Sequence, residues 1–190
     1  MQFAETPLHG AWLIEPEPHF DERGWFARCF CENEFSARAL TTRFVQHSRS
    51  YSRFRGTLRG MHFQEAPHGE EKLVSCIAGA IFDVIGDLRR DSPTYLQTFG
   101  VELSATNGRQ LYIPKGVAHG FQALTDGATV NYLISEFYAP ASAAGLRYDD
   151  PVLGINWPLA PTMVSDRDLS WPLWEPRVPQ GRYLPRAHAT

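Results

Sequence analysis

The chain has 190 residues and a formal net charge of −3, from 18 Lys and Arg against 21 Asp and Glu, which excludes a strongly basic nucleic-acid binder. Hydrophobic residues make up 43% of the chain and charged residues 21%, which excludes an intrinsically disordered composition. The length fits a single domain over residues 1–190, large enough to bury roughly 70% of its unfolded surface without a disulfide or a structural metal.

In chain order, Ala11–Ile14 reads as a short strand ended by the Pro-rich EPEP. His19–Gly24 (HFDERG) reads as a charged turn and Trp25–Phe30 as a strand. Glu32–Leu40 is the best helical window, with Phe35, Ala39 and Leu40 on one side. The texture is then β. Phe44–Ser52 predicts a strand, and Gly56 and Gly60 punctuate the next. Leu73–Ala78 and Ile81–Leu88 flank Gly79-Ala80, the pattern of a hairpin. Further strands are predicted over Gln97–Leu103, Gln110–Ile113, His119–Leu124 and Val130–Phe137. Tyr138–Trp157 reads as loop. The stretch from Pro158 reads as an appendage, passing into an irregular Pro/Arg-rich tail from about residue 172. Turn signals every 8–12 residues over this span predict a sandwich, jelly roll or barrel.

Cys29, Cys31 and Cys76 are odd in number and form no C-x-x-C pair, which predicts a reduced, cytoplasmic protein. The opening MQFAETPLHG lacks the basic and apolar regions of a secretory leader. The apolar stretch around Ile77–Ile85 is broken by Gly79, Asp83 and Gly86, far short of a membrane span. Lys72 and Lys115 are the only lysines among the 18 basic residues. Where arginine dominates so strongly, a lysine hints at a need for a compact ammonium.

Several stretches carry chemistry. In Leu58–Gln64, residues two apart share a strand face, so Gly60, His62 and Gln64 point one way and Met61 and Phe63 the other. A closed β structure carries a polar inner face only around a ligand cavity; for His62 taken alone, a solvated surface face is the simpler reading. In Ile113–Phe121, the P-x-G-x-x-H pattern ends at His119. Asp83 sits among apolar residues and needs a partner. A histidine N–H and a backbone amide are equally open. Tyr132 and Tyr138 share a parity; each is either a packed amphipath or a cavity residue. Ser165-Asp166-Arg167-Asp168 reads by itself as surface charge.

The G-x-x-H strand followed by P-x-G-x-x-H resembles the two signature segments of the cupin superfamily, and the spacing of Glu71 and Gly79 fits the first. The resemblance implies an all-β, cupin-type double-stranded β-helix (jelly roll) with a few short helices. Cupins often hold a metal. Here Gln64 replaces the second histidine of the usual pair, leaving His62, Glu71 and His119 as candidate ligands for a metal-dependent dioxygenase or isomerase.

The ordered set FDERGWF, GTLRGMHFQ, EKLV, GAIFDVIGDLR, SPTY, LYIPKGVAHGF, NYLISEFYAP, YDDP, INWP and SDRD, from about Gly10 to Asp168, resembles the dTDP-4-dehydrorhamnose 3,5-epimerase family. That resemblance implies a homodimeric isomerase that needs no metal or other cofactor. It inverts C3 and C5 of dTDP-4-dehydro-6-deoxy-D-glucose, a nucleotide sugar on the route to L-rhamnose. It assigns the base to His62, its partner to Asp168 and the acid to Tyr132. Substrate-binding positions match Arg23, Gln46, Arg59, Lys72, His119, Tyr138 and Arg167, the last usually a lysine, with Asp83 in support. The chain departs from the family at Arg28 and Ala143, where acids are common, and at Ser48, where an Asn is usual.

The chemistry agrees with these residue types. Protons beside a C4 ketone are acidified, and their removal leaves an enolate that needs a cation or a donor. Inversion needs a second group on the opposite face. Histidine titrates near working pH, and tyrosine gives a proton without carrying charge at rest. Arg23 and Arg59 suit a diphosphate. The run of Arg49, Arg53, Arg55 and Arg59 reads as a solvated turn with one ligand contact rather than a nucleic-acid surface.

Overall fold

The computed structural model describes residues 1–175; the tail beyond them lies outside the described residues. The strands in chain order are β1 (Gln2–Glu5), β2 (Trp12–Glu15), β3 (His19–Asp21), β4 (Gly24–Phe26), β5 (Gln46–Ser52), β6 (Leu58–Gln64), β7 (Lys72–Ala78), β8 (Ala80–Asp87), β9 (Thr98–Ser104), β10 (Gln110–Ile113), β11 (Val117–Ala123), β12 (Ala128–Ile134) and β13 (Ala143–Gly145). Among the described residues the short α-helices are α1 (Glu32–Ser36) and α2 (Asp166–Leu169), with one 3-10 turn at Pro140–Ser142.

Two sheets face each other. One has the order β1-β2-β10-β7-β12-β5 and the other β13-β6-β11-β8-β9, while β3 and β4 form a separate hairpin. Every pairing between these strands is antiparallel. From β5 to β12 the chain changes sheet at each step except between β8 and β9. This alternation builds the jelly roll that the sequence predicts.

It also corrects one expectation. The strands flanking Gly79 do not form a hairpin; β7 and β8 belong to different sheets. Gly79 makes the crossing at φ +69, with Thr125 Oγ1 only 2.3 Å from where a Cβ would sit, so the turn needs glycine. The strand expected over Trp25–Phe30 stops at Phe26. Phe30 instead packs on Phe35 and Phe44 at centroid distances of 4.8 and 5.6 Å. The expected helix at Glu32–Leu40 starts at Glu32 but ends at Ser36, ahead of Ala39, which turns left-handed at φ 56.

Period-2 alternation sets the interior. Val74, Cys76, Leu111, Ile113 and Val130 of one sheet pack against Ile81, Ile85, Leu103, Val117 and Phe121 of the other. Met61 and Phe63, on the reverse face of β6, are also buried. They pack with Val84, Leu88, Leu146 and Leu153 beneath the segment that ends at Trp174. This segment is pinned to the sheet where Leu58 N–H donates to Met163 O at 2.9 Å. Residues 158–174 therefore cover a core face rather than forming an appendage.

The end of β8 is fixed by Asp87, which is fully buried. It accepts hydrogen bonds from the Arg89 backbone and guanidinium and from the Ser92 and Thr94 hydroxyls. Burial pushes its carboxyl up, but these donors outweigh burial and lower it from 3.8 to about 2. At about 1.4 kcal/mol per pKa unit, the shift contributes about 2 kcal/mol of stability. Because the folded pKa is the lower one, that stability is full above the unfolded value and fades as pH falls through about 2. Asp87→Asn should lower unfolding free energy at neutral pH by about 2 kcal/mol and flatten its decline between about pH 4 and 2, read from urea titrations.

Candidate active site

The inner faces of β5, β6, β7, β11 and β12 turn polar at one end of the sandwich. There they enclose a cavity of about 490 Å³ lined by Gln46, Ser48, Ser50, Arg59, His62, Glu70, Lys72, His119, Tyr132, Tyr138, Ser165, Arg167 and Asp168, among others. Strand parity explains the set. Gln46, Ser48 and Ser50 alternate along β5, and Tyr132 and Ile134 along β12.

His62 projects from β6 with its side chain 41% exposed. Its Nε2 lies 2.6 Å from Asp168 Oδ1. A carboxylate accepts, so Nε2 donates and Nδ1 is left as the free basic nitrogen of the ring. Asp168 arrives from α2, 106 residues away. The Ser165 hydroxyl caps this one-turn helix by accepting from Asp168 N–H at 3.1 Å. Gly60 N–H donates to Asp168 Oδ2 at 3.3 Å. Burial raises the Asp168 carboxyl, while the His62 bond and these backbone contacts pull it net below its usual range. Gly60 adopts φ +124, and a Cβ there would meet Gly120 Cα at 2.5 Å, so glycine is what lets β6 approach β11 beside the dyad.

Directly across from His62 on the neighbouring strand is His119. Its Nε2 lies 2.7 Å from Asp83 Oδ1, both side chains being buried. The partner that Asp83 requires is thus a histidine. Asp83 Oδ2 is buried without a hydrogen bond.

Tyr132 stands on the opposite sheet from His62. Its hydroxyl lies 3.1 Å from Ser50 Oγ, and its ring meets His119 edge-on at 6.1 Å. Burial raises the pKa of the Tyr132 phenol well above its usual value, so it is protonated at neutral pH. Lys72 is almost fully buried, and its ammonium lies 2.8 Å from Glu70 Oε1. Gln46 Oε1 accepts from Tyr138 N–H at 2.8 Å, and Arg59 donates to Tyr51 O and Ser52 Oγ.

The cavity therefore gathers nine of the residues singled out in the sequence: Gln46, Arg59, His62, Lys72, His119, Tyr132, Tyr138, Arg167 and Asp168. Asp83 stands behind His119. Arg23 is not brought in; it sits on the β3–β4 turn, paired with Asp21 and 89% exposed. Of the family departures, Ser48 lines the main cavity, and Ala143 lines a side cavity of about 140 Å³ behind His62. Arg28 lies elsewhere, against Glu34.

The metal-ligand trio does not assemble. Glu71 faces away and accepts from the Tyr112 hydroxyl at 2.9 Å, while His62 and His119 are each bonded to an aspartate. Among the described residues no cluster of three His, Cys, Asp or Glu has metal-binding geometry. Gln64, in the place of a ligand, clamps the loop above it, donating to His68 O and Phe137 O and accepting from Ala139 N–H. Residues not foreseen are Glu70, Ser50 and Ser165. Parity would have found Glu70, which is two residues from the inward-facing Lys72.

The family model for dTDP-4-dehydrorhamnose 3,5-epimerase matches residues 5–176. The enzyme of that name from Methanothermobacter thermautotrophicus is 49% identical over 90% of this chain and 92% of its own length. A dTDP-4-dehydrorhamnose 3-epimerase from Streptomyces niveus is 40% identical over 88% of this chain and 81% of its own. The crystal structure of the Bacillus anthracis 3,5-epimerase, with TDP and pyrophosphate bound, superposes with a TM-score of 0.88 at 42% identity, covering 91% of this chain and 99% of that one. The all-β jelly roll is thus the cupin-like fold of these enzymes. His62, paired with Asp168, and Tyr132 stand on opposite walls of one cavity, and in sequence and fold the chain belongs to the dTDP-4-dehydrorhamnose 3,5-epimerase family of isomerases.

Proposed function

We propose that the chain inverts C3 and C5 of dTDP-4-dehydro-6-deoxy-D-glucose, in dTDP-L-rhamnose or related deoxysugar biosynthesis. The observation that carries this reading is the position of His62 and Tyr132 on opposite sheets, facing one cavity. His62 Nδ1 removes the proton beside the C4 ketone, and Asp168 steadies the imidazolium that forms. The Lys72 ammonium stabilises the enolate oxygen. Tyr132, protonated at rest, returns a proton from the other face. The His119–Asp83 pair supports the wall between Tyr132 and His62. Arg59 and Arg167 meet the diphosphate, and Gln46 and Tyr138 hold the nucleotide end.

The reading includes a cytoplasmic homodimer. No helix among the described residues is long and apolar enough to cross a membrane. The β3–β4 hairpin exposes Phe20, Trp25 and Phe26 at 75%, 60% and 74%, a patch that favours burial against another surface. A second copy receiving this hairpin would also bring Arg23, stranded outside its own cavity, toward the partner's substrate.

Proton NMR in D2O tests the chemistry. With dTDP-4-dehydro-6-deoxyglucose, deuterium should appear at both C3 and C5. Exchange at one carbon alone would make the chain a single-site epimerase, and exchange at neither would reject the reading. His62→Ala should lower turnover by about a thousandfold while dTDP affinity, measured by calorimetry, stays within about threefold. Tyr132→Phe separates the two faces: deuterium should still wash in, with inversion slowed by about a hundredfold. Light scattering reads the assembly. The native chain should have the mass of a dimer, and Trp25→Glu with Phe26→Glu the mass of a monomer; a native monomer would remove the dimer from the reading.

A further inference from the structure

Three groups around the base come from one short stretch. Asp168 bonds to His62, Arg167 lines the mouth of the cavity, and Trp171 stands behind. The helix that carries the first two, α2, has four residues, too few to hold its own shape. Its setting depends on tertiary contacts.

Trp171 supplies a distinctive one. Its indole fills a notch over Gly145 on β13, where a Cβ would lie 2.5 Å from Cε2. It meets the His62 ring edge-on at 6.3 Å and 62°. On the indole lies the Arg167 guanidinium, with Cζ 5.4 Å from the ring centroid. Among the described residues no carboxylate pairs with Arg167. An exposed arginine without an ion-pair partner samples many rotamers, and stacking on an indole face restricts it. The indole N–H is buried with no acceptor, so shape and the π face, not a hydrogen bond, hold the ring here.

We infer that Trp171 is the positioning residue of this corner. It backs the His62 ring and holds the Arg167 guanidinium at the cavity mouth, ready for an anionic oxygen of the nucleotide sugar. Arg167 and Trp171 then act as one unit, whose worth to binding is lost when either is removed. This rests on the epimerase reading above.

The test is a double-mutant cycle of Arg167→Ala with Trp171→Leu and Trp171→Phe. Leucine keeps apolar bulk and removes the π face; phenylalanine keeps the face and removes the orphan N–H. Each variant is assayed for kcat and KM on dTDP-4-dehydro-6-deoxyglucose, for dTDP affinity by calorimetry, and for thermal midpoint. Arg167→Ala should raise KM about tenfold in the native background and less than about threefold beside Trp171→Leu. Trp171→Leu should itself raise KM and lower kcat about tenfold, and Trp171→Phe should recover most of both. Multiplying effects of Arg167 and Trp171, or a leucine variant as active as the phenylalanine one, would overturn the inference. A shift in thermal midpoint with kcat and KM intact would assign Trp171 a structural role only. If the native chain fails to turn over the sugar, the epimerase reading fails. The dTDP arm then decides alone: non-additive affinities uphold the Arg167–Trp171 unit and additive ones reject it.

Discussion

Everything at the cavity depends on one constraint: a polar inner face can exist inside a β-sandwich only if its groups are partnered. The two sheets share an apolar core through Val74, Leu111 and Val130 on one side and Ile85, Val117 and Phe121 on the other. On the same strand faces, each two residues from one of these core positions, stand His119, Tyr132 and Lys72. Each of these is matched: His119 to Asp83, Tyr132 to Ser50, Lys72 to Glu70. The pairings let the core end abruptly and the cavity begin.

The alternation of strands between sheets gives that constraint its chemical use. Because β6 and β11 lie in one sheet and β7 and β12 in the other, consecutive segments deliver side chains to opposite walls. A base and an acid meant to act on opposite faces of one carbon need this arrangement. A hairpin at Gly79 would have set β7 and β8 side by side in one sheet and joined the two walls. The crossing at Gly79, closed to any side chain by Thr125, is part of how the fold supports inversion.

What the sequence made legible follows the same period. Parity along β8 isolated Asp83 among apolar neighbours, but β12 ends at Ile134, so Tyr138 reaches the cavity from the loop beyond the strand, and Gln64, expected beside His62, bonds to the loop instead. The sheet change at Gly79 was not legible, because a glycine turn between two β runs looks the same whichever sheet receives the second. Asp168 by itself read as surface charge, since its burial is created by His62 and Gly60 more than a hundred positions earlier. Only the resemblance to known epimerases marked it. Glu71 was the wrong carboxylate for the cavity: spacing favoured it, but the pleat sends it to Tyr112 and sends its neighbour Glu70 inward to Lys72.

The two requirements of the site, proton transfer and recognition, fall unevenly over this architecture. His62 and Asp168 are bonded to each other, Asp168 also to Ser165 and Gly60, and Tyr132 to Ser50. Ser48 lines the main cavity and Ala143 the side cavity that His62 also lines. Proton transfer depends on hydrogen-bonded geometry that tolerates little displacement. Recognition of a sugar or a nucleotide is spread over many contacts of smaller individual weight. Substitutions in the cavity walls therefore alter affinity before they alter chemistry, whereas displacing the His62–Asp168 pair alters the chemistry directly.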